Sequence, residues 1–138
     1  MTGELNWHVG WALVLIGLLS GALIGLGFAR DSFLGGYDGW RRRLIRLGHI
    51  ACLMLGVANL LVSQANWYST PDIGLNLAQI SLAAGGITMP LICFLSGWKK
   101  AFRHSFALPV VLLVTSCVLF WWRASERSDP QERRRVAF

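Results

Sequence analysis

The 13 lysines and arginines and the 7 acidic residues of this 138-residue chain all lie outside four long blocks that hold no charge. The blocks run from Leu5 to Ala29, Leu47 to Pro71, Ile73 to Trp98 and His104 to Trp122, each 19 to 26 residues long. A helix rises about 1.5 Å per residue, so roughly 20 residues cross a hydrocarbon core about 30 Å thick. Every block is long enough to do so. The spacing predicts an all-α membrane protein, a bundle of four transmembrane helices over about residues 7–29, 44–65, 73–97 and 104–123. Four spans use nearly all the length, so residues 1–138 read as a single integral membrane domain, with 124–138 as a polar, disordered tail.

Composition decides between lipid and water as the solvent. At 54% hydrophobic and 14% charged, the chain has too little polar surface to cover a water-soluble core. The first block follows Met1-Thr2-Gly3-Glu4, has no basic segment before it and is too long for a signal peptide's apolar stretch, so it reads as a retained helix. The net charge of +6 flanks apolar spans, which points to anionic lipid headgroups and away from nucleic acid. Arg41, Arg42, Arg43, Arg46, Lys99, Lys100 and Arg103 are the expected headgroup-binding residues. Cys52, Cys93 and Cys117 lie in separate blocks without Cys-x-x-Cys spacing and read as buried free thiols.

Orientation follows from the basic connections. The stretch Arg30 to Arg46 carries five arginines and Lys99 to Arg103 three basic residues, whereas Gln64 to Asp72 carries none. Both basic loops are expected in the cytoplasm, which places the N-terminus and the C-terminus outside. Arg123, Arg127 and Arg133 to Arg135 in the tail pull the other way. Trp7, Trp11, Trp67, Trp121 and Trp122 fall at the expected outer edge, and Trp40 and Trp98 at the inner edge, where indoles favour the headgroup region.

The faces of the blocks carry the remaining information. Gly17, Gly21 and Gly25 recur every four residues and predict close helix packing, within the bundle or across a dimer seam. In the second block His49, Cys52, Gly56, Asn59 and Ser63 form one small, polar stripe, and in the third Asn76, Gln79, Ala83, Gly86, Pro90, Cys93 and Gly97 form another. Such stripes face protein, because an unpaired amide or imidazole in hydrocarbon costs several kcal/mol, roughly 2 to 7 on transfer scales. By depth, Asn59, Asn76 and Gln79 form a polar intramembrane cluster in the outer layer, as interhelical hydrogen bonds or as the wall of a polar cavity.

Arg46, His49, Lys99, Lys100, Arg103 and His104 share the inner layer. A b-type haem sits between two neutral imidazoles on facing helices with small residues beside them, and His49 and His104 supply those residue types. At 1.5 Å per residue they lie roughly 9 and 15 Å from the midplane, an offset that helix tilt would have to absorb. The alternatives are a headgroup contact for His104, a hydrogen bond from His49 to a Thr or Ser such as Thr88, and a quinone headgroup held by imidazole and guanidinium donors. No metal-ligand cluster, Walker loop, HExxH or Gly-x-Ser-x-Gly motif occurs, so an enzyme is not expected.

At Arg-Leu-Gly-His-Ile-Ala, residues 46–51, and at Met-Pro-Leu-Ile-Cys-Phe-Leu-Ser-Gly-Trp-Lys-Lys-Ala-Phe-Arg-His, residues 89–104, the chain resembles small uncharacterised bacterial four-helix inner-membrane proteins. That resemblance implies a multi-pass protein of the bacterial inner membrane. The placement of His49 and His104 is similar to that of four-helix b-type cytochrome anchors, which implies haem b as a cofactor. The first functional expectation is a subunit or accessory of a larger membrane assembly, in respiratory electron transfer, with other membrane subunits or a second copy as partner. The second is a haem- or quinone-binding electron carrier, and the third a small-solute pore or transporter along the polar stripes.

Overall fold

The computed structural model of the protein describes residues 2–36, 38–64 and 73–127. The expected tail from 128 onward and the aromatic pair Trp67 and Tyr68 lie outside the described residues. Four α-helices follow one another: α1 (Thr2–Gly27), α2 (Trp40–Gln64), α3 (Ile73–Trp98) and α4 (Ala107–Arg127). All four are long and apolar enough to cross a membrane. By composition this is a multi-pass membrane protein with an all-helical bundle.

The helices start and stop where local chemistry dictates, not where hydropathy changes. α2 begins at Trp40, ahead of the expected 44, because Arg43 N–H bonds to Gly39 O at 3.1 Å and arginine is a good helix former whose charge the headgroup layer tolerates. α4 begins at Ala107, after the expected 104. Pro109 then falls in the first helical turn, where its missing N–H leaves no hydrogen bond unmade. Lys99 in extended conformation (φ −129°, ψ 122°) ends α3, and a 3₁₀ segment, Lys100–Phe106, carries the chain into α4. Four residues of the expected tail are helical, since Glu126 accepts from Trp122 Nε1 at 2.8 Å and from Arg123 at 2.6 Å one turn back.

Between α1 and α2 the chain makes a compact turn. Phe28 N–H and Arg30 N–H bond back to Gly25 O and Gly27 O, the Phe33 ring crosses Gly27 where a Cβ would collide, and a 3₁₀ turn, Phe33–Gly35, follows. Leu34 (φ 55°), Gly35 (φ 87°) and Gly36 (φ 90°) all take positive φ to reverse the chain. The two glycines adopt this without a Cβ penalty, whereas Leu34 holds it at a cost of roughly 1–2 kcal/mol.

Each helix runs antiparallel to the next, and α3 is the hub. It packs on α2, on α4 and, less extensively, on α1, while α4 packs on α3. Of the most apolar window of α3, 56% is buried, against 11% for α4. Lipid tails are as apolar as leucine, so close backbone approach through small residues holds such helices together. Gly10 and Gly56 meet across α1 and α2, Gly17 admits Leu53, Gly48 admits Phe94, and Gly85 admits Leu113 of α4. α3 runs unbroken through Pro90.

Candidate functional site

The polar layer at the end away from the basic loops is built by Asn6, Asn59 and Gln79, which are 0, 0 and 1% exposed. Asn6 Nδ2 donates to Asn59 Oδ1 at 2.8 Å and to the Gln79 carbonyl at 3.2 Å, and Asn59 Nδ2 donates to Leu55 O at 2.8 Å. A backbone carbonyl only accepts, so both amides have one orientation. Three helices are thereby tied at one depth. Asn6 Oδ1 has no hydrogen-bond partner among the described residues. Gly86 makes room for the Asn59 amide, since a Cβ there would lie 2.9 Å from Nδ2.

The expected cluster of Asn59, Asn76 and Gln79 is therefore revised. Asn76 is exposed, and Asn6 takes its place. The first helix was expected from residue 7, which left Asn6 outside it. One signal was present: counting back from Gly17 by steps of seven and four lands on Gly10 and Asn6, the same helical face.

His49 is half-buried with its Nδ1 2.8 Å from Gly17 O and 3.3 Å from Ser20 Oγ. Ser20 Oγ donates to the same carbonyl at 2.9 Å. Because that carbonyl only accepts, Nδ1 carries a proton, so that in the neutral form of the imidazole the lone pair lies on Nε2. The ring lies over Gly21, where a Cβ would sit 2.6 Å from Cε1. The Thr or Ser partner expected for His49 is Ser20 and not Thr88, which bonds to Ala84 O within its own helix at 2.8 Å. Gly17 and Gly21 are thus seats for α2 side chains, whereas Gly25 has nothing within 4 Å.

His49 and His104 are not brought together. His49 turns toward α1, while His104 is exposed on the 3₁₀ segment, which packs against α3 and α4. A bis-histidine haem within one chain needs facing imidazoles, and this arrangement does not supply them. A further polar side chain crossing between helices is Ser116, which donates to Ala78 O at 2.9 Å and ties α4 to α3.

The expected headgroup residues separate into distinct roles. Arg42 is buried, with its guanidinium 4.8 Å above the Phe28 ring. Arg43 pairs with Asp38 at 3.3 Å, and both are exposed. Arg46 is half-buried, and Arg41, Lys99, Lys100 and Arg103 are exposed. Arg41 and Lys100 both stand over Trp40, at 5.9 and 5.3 Å from its ring centroid.

Between α1 and α3 lies an apolar cleft of about 240 Å³ walled by Val9, Ala12, Ile16, Ile87 and Leu91, with the core thiol of Cys52 at its floor. Comparison with protein-family models, curated proteins and solved structures finds no match. The functional reading rests on this geometry.

Proposed function

We propose that the protein is an accessory subunit of a larger assembly in the bacterial inner membrane, with respiratory electron transfer as its setting. The observation that carries the reading is the open α1/α3 cleft, whose small wall residue Ala12 and apolar floor suit a bulky side chain of a partner helix. The interior polar groups support it as well, because Asn6, Asn59, His49 and Ser116 are engaged in joining one helix to another. Both basic connections then face the cytoplasm, with the termini outside.

Extraction in a mild detergent tests this reading. A stoichiometric complex is expected, lost in Ala12→Trp, which fills the cleft, and retained in Val118→Trp on the exposed face of α4. A monodisperse lone chain of full stability, or a complex indifferent to Ala12→Trp, would sink it.

The His49 tautomer supports a second reading, an electron carrier. A donated Nδ1–H to a backbone carbonyl is the arrangement that presents Nε2 to a metal or to a hydroquinone hydroxyl. A reduced-minus-oxidised visible spectrum tests for haem b. Bands absent from the purified protein would remove haem, and bands lost in His49→Ala but kept in His104→Ala would assign a single axial histidine from this chain.

A further inference from the structure

At the basic end, three separate stretches of chain converge on one hollow of about 530 Å³. Leu34 comes from the turn after α1, Trp40 and Arg41 from the first turn of α2, and Trp98 and Lys100 from the junction after α3. The sequence separates these groups by up to 66 positions, and the antiparallel packing of α2 on α3 brings them together.

The electrostatics of this hollow are one-sided. Arg41 Cζ and Lys100 Nζ both lie within 6 Å of the Trp40 ring centroid, at 5.9 and 5.3 Å, so two cations share one aromatic platform. The first turn of α2 contains no acidic residue and instead holds three successive arginines. A helix N-terminus carries partial positive charge and unsatisfied N–H groups, so cations there oppose the macrodipole. The nearest acid in sequence, Asp38, is engaged by Arg43 at 3.3 Å, and Arg42 is turned away onto Phe28. An anion between Arg41 and Lys100 would relieve the repulsion of both cations and of the helix end.

The hollow also has an apolar side and a defined depth. Leu34 and Trp98 line it, and Trp98 is 80% exposed at the end of a membrane-length helix, the position of an interfacial tryptophan. Its volume is that of a pocket for a ligand of many atoms, far more than one phosphate fills. We propose that this hollow binds the phosphate-bearing headgroup of an anionic phospholipid. Arg41 and Lys100 hold the phosphate, Trp40 backs both cations, and Leu34 and Trp98 meet the glycerol and the start of the acyl chains. The site does not depend on the α1/α3 cleft or on any partner subunit.

The test uses the full chain purified in mild detergent, with phosphatidylglycerol or phosphatidylcholine added and retained lipid counted by native mass spectrometry. Phosphatidylglycerol is expected to be retained over phosphatidylcholine by on the order of tenfold, given two cations near the membrane surface. The Arg41→Gln/Lys100→Gln double variant should fall to the phosphatidylcholine level, while Arg123→Gln, which removes an ion pair near the end of α4 at the opposite side of the bundle, should keep the preference. Both altered residues are exposed, and matched far-UV circular dichroism of the variants verifies folding. Equal retention of the two lipids, or an unchanged preference in the double variant, would overturn the proposal. Displacement of the lipid by an equal concentration of glycerol phosphate would overturn the lipid source and assign the hollow to a soluble phosphate.

Discussion

Gly56 and Gly25 offer a paired test of where α1 and α2 touch. An alanine Cβ at Gly56 would lie 2.9 Å from Val14 Cγ2, 3.0 Å from Gly10 O and 3.0 Å from Val14 N. Two of those three atoms are backbone, so no rotamer change relieves the contact and the helices must part. Overpacking of this kind costs about 1–3 kcal/mol, offset by the gain of about 1 kcal/mol from removing a mid-helix glycine. A net loss of about 1 kcal/mol is expected for Gly56→Ala, roughly fivefold in the unfolding equilibrium. Gly25→Ala meets nothing within 4 Å, so the helix-propensity gain stands alone and stability should rise by about 0.5–1 kcal/mol. SDS-driven unfolding of the purified protein in mixed micelles, followed by circular dichroism, reads both. Changes of the same sign in the two variants would refute the assignment of the α1–α2 seam to Gly10, Gly17, Gly21 and Gly56 and place it on another face.

The remaining predictions concern single groups. In a double-mutant cycle of Asn6→Leu and Asn59→Leu, a coupling of about 0.6–1.7 kcal/mol is expected from SDS unfolding, and additive effects would contradict the 2.8 Å bond. A membrane-permeant maleimide should modify Cys117, which is exposed on α4, well before Cys52 or Cys93; equal rates at all three would contradict the packing of α2 on α3. Ser20→Ala should leave His49 in place because Gly17 O remains its nearer partner, and the imidazole NMR signals should keep the Nδ1–H tautomer. Single cysteines at Ser69 and Ser105 read the orientation: labelling from outside intact cells is expected at Ser69, and labelling at Ser105 alone would invert it.

The four spans were legible because a charge in hydrocarbon is costly enough to mark their limits without knowledge of their neighbours. Their helical ends were not, since Arg41 to Arg43 continue a helix into the headgroup layer that hydropathy counts as loop. The polar stripe of α2 was visible as a face, but a face does not name its partner. The sequence offered His49 a Thr or Ser such as Thr88, but its nearer partner is the backbone oxygen of Gly17, which no side-chain pattern reveals, with Ser20 beside it. Asn76 and Gln79 are three residues apart, so they lie about 60° apart around α3, and a difference of that size separates a buried amide from an exposed one.

The position of α4 was equally hidden. An even-handed four-helix bundle would have covered both flanks of α3, yet α4 meets it through Leu113 at Gly85 and through Ser116, and leaves the α1/α3 seam open. The polar ties have different builds: Asn6 bonds to Asn59 and to the Gln79 backbone oxygen, joining α1, α2 and α3, and Ser116 bonds to Ala78 O, joining α4 to α3. Buried amide bonds thus tie α1, α2 and α3 at one depth, while α4 is joined to α3 by the Ser116 bond and by packing at Gly85. That asymmetry leaves the α1/α3 seam as an open apolar surface walled by three helices that are tied to one another, and the proposal of a partner helix rests on it.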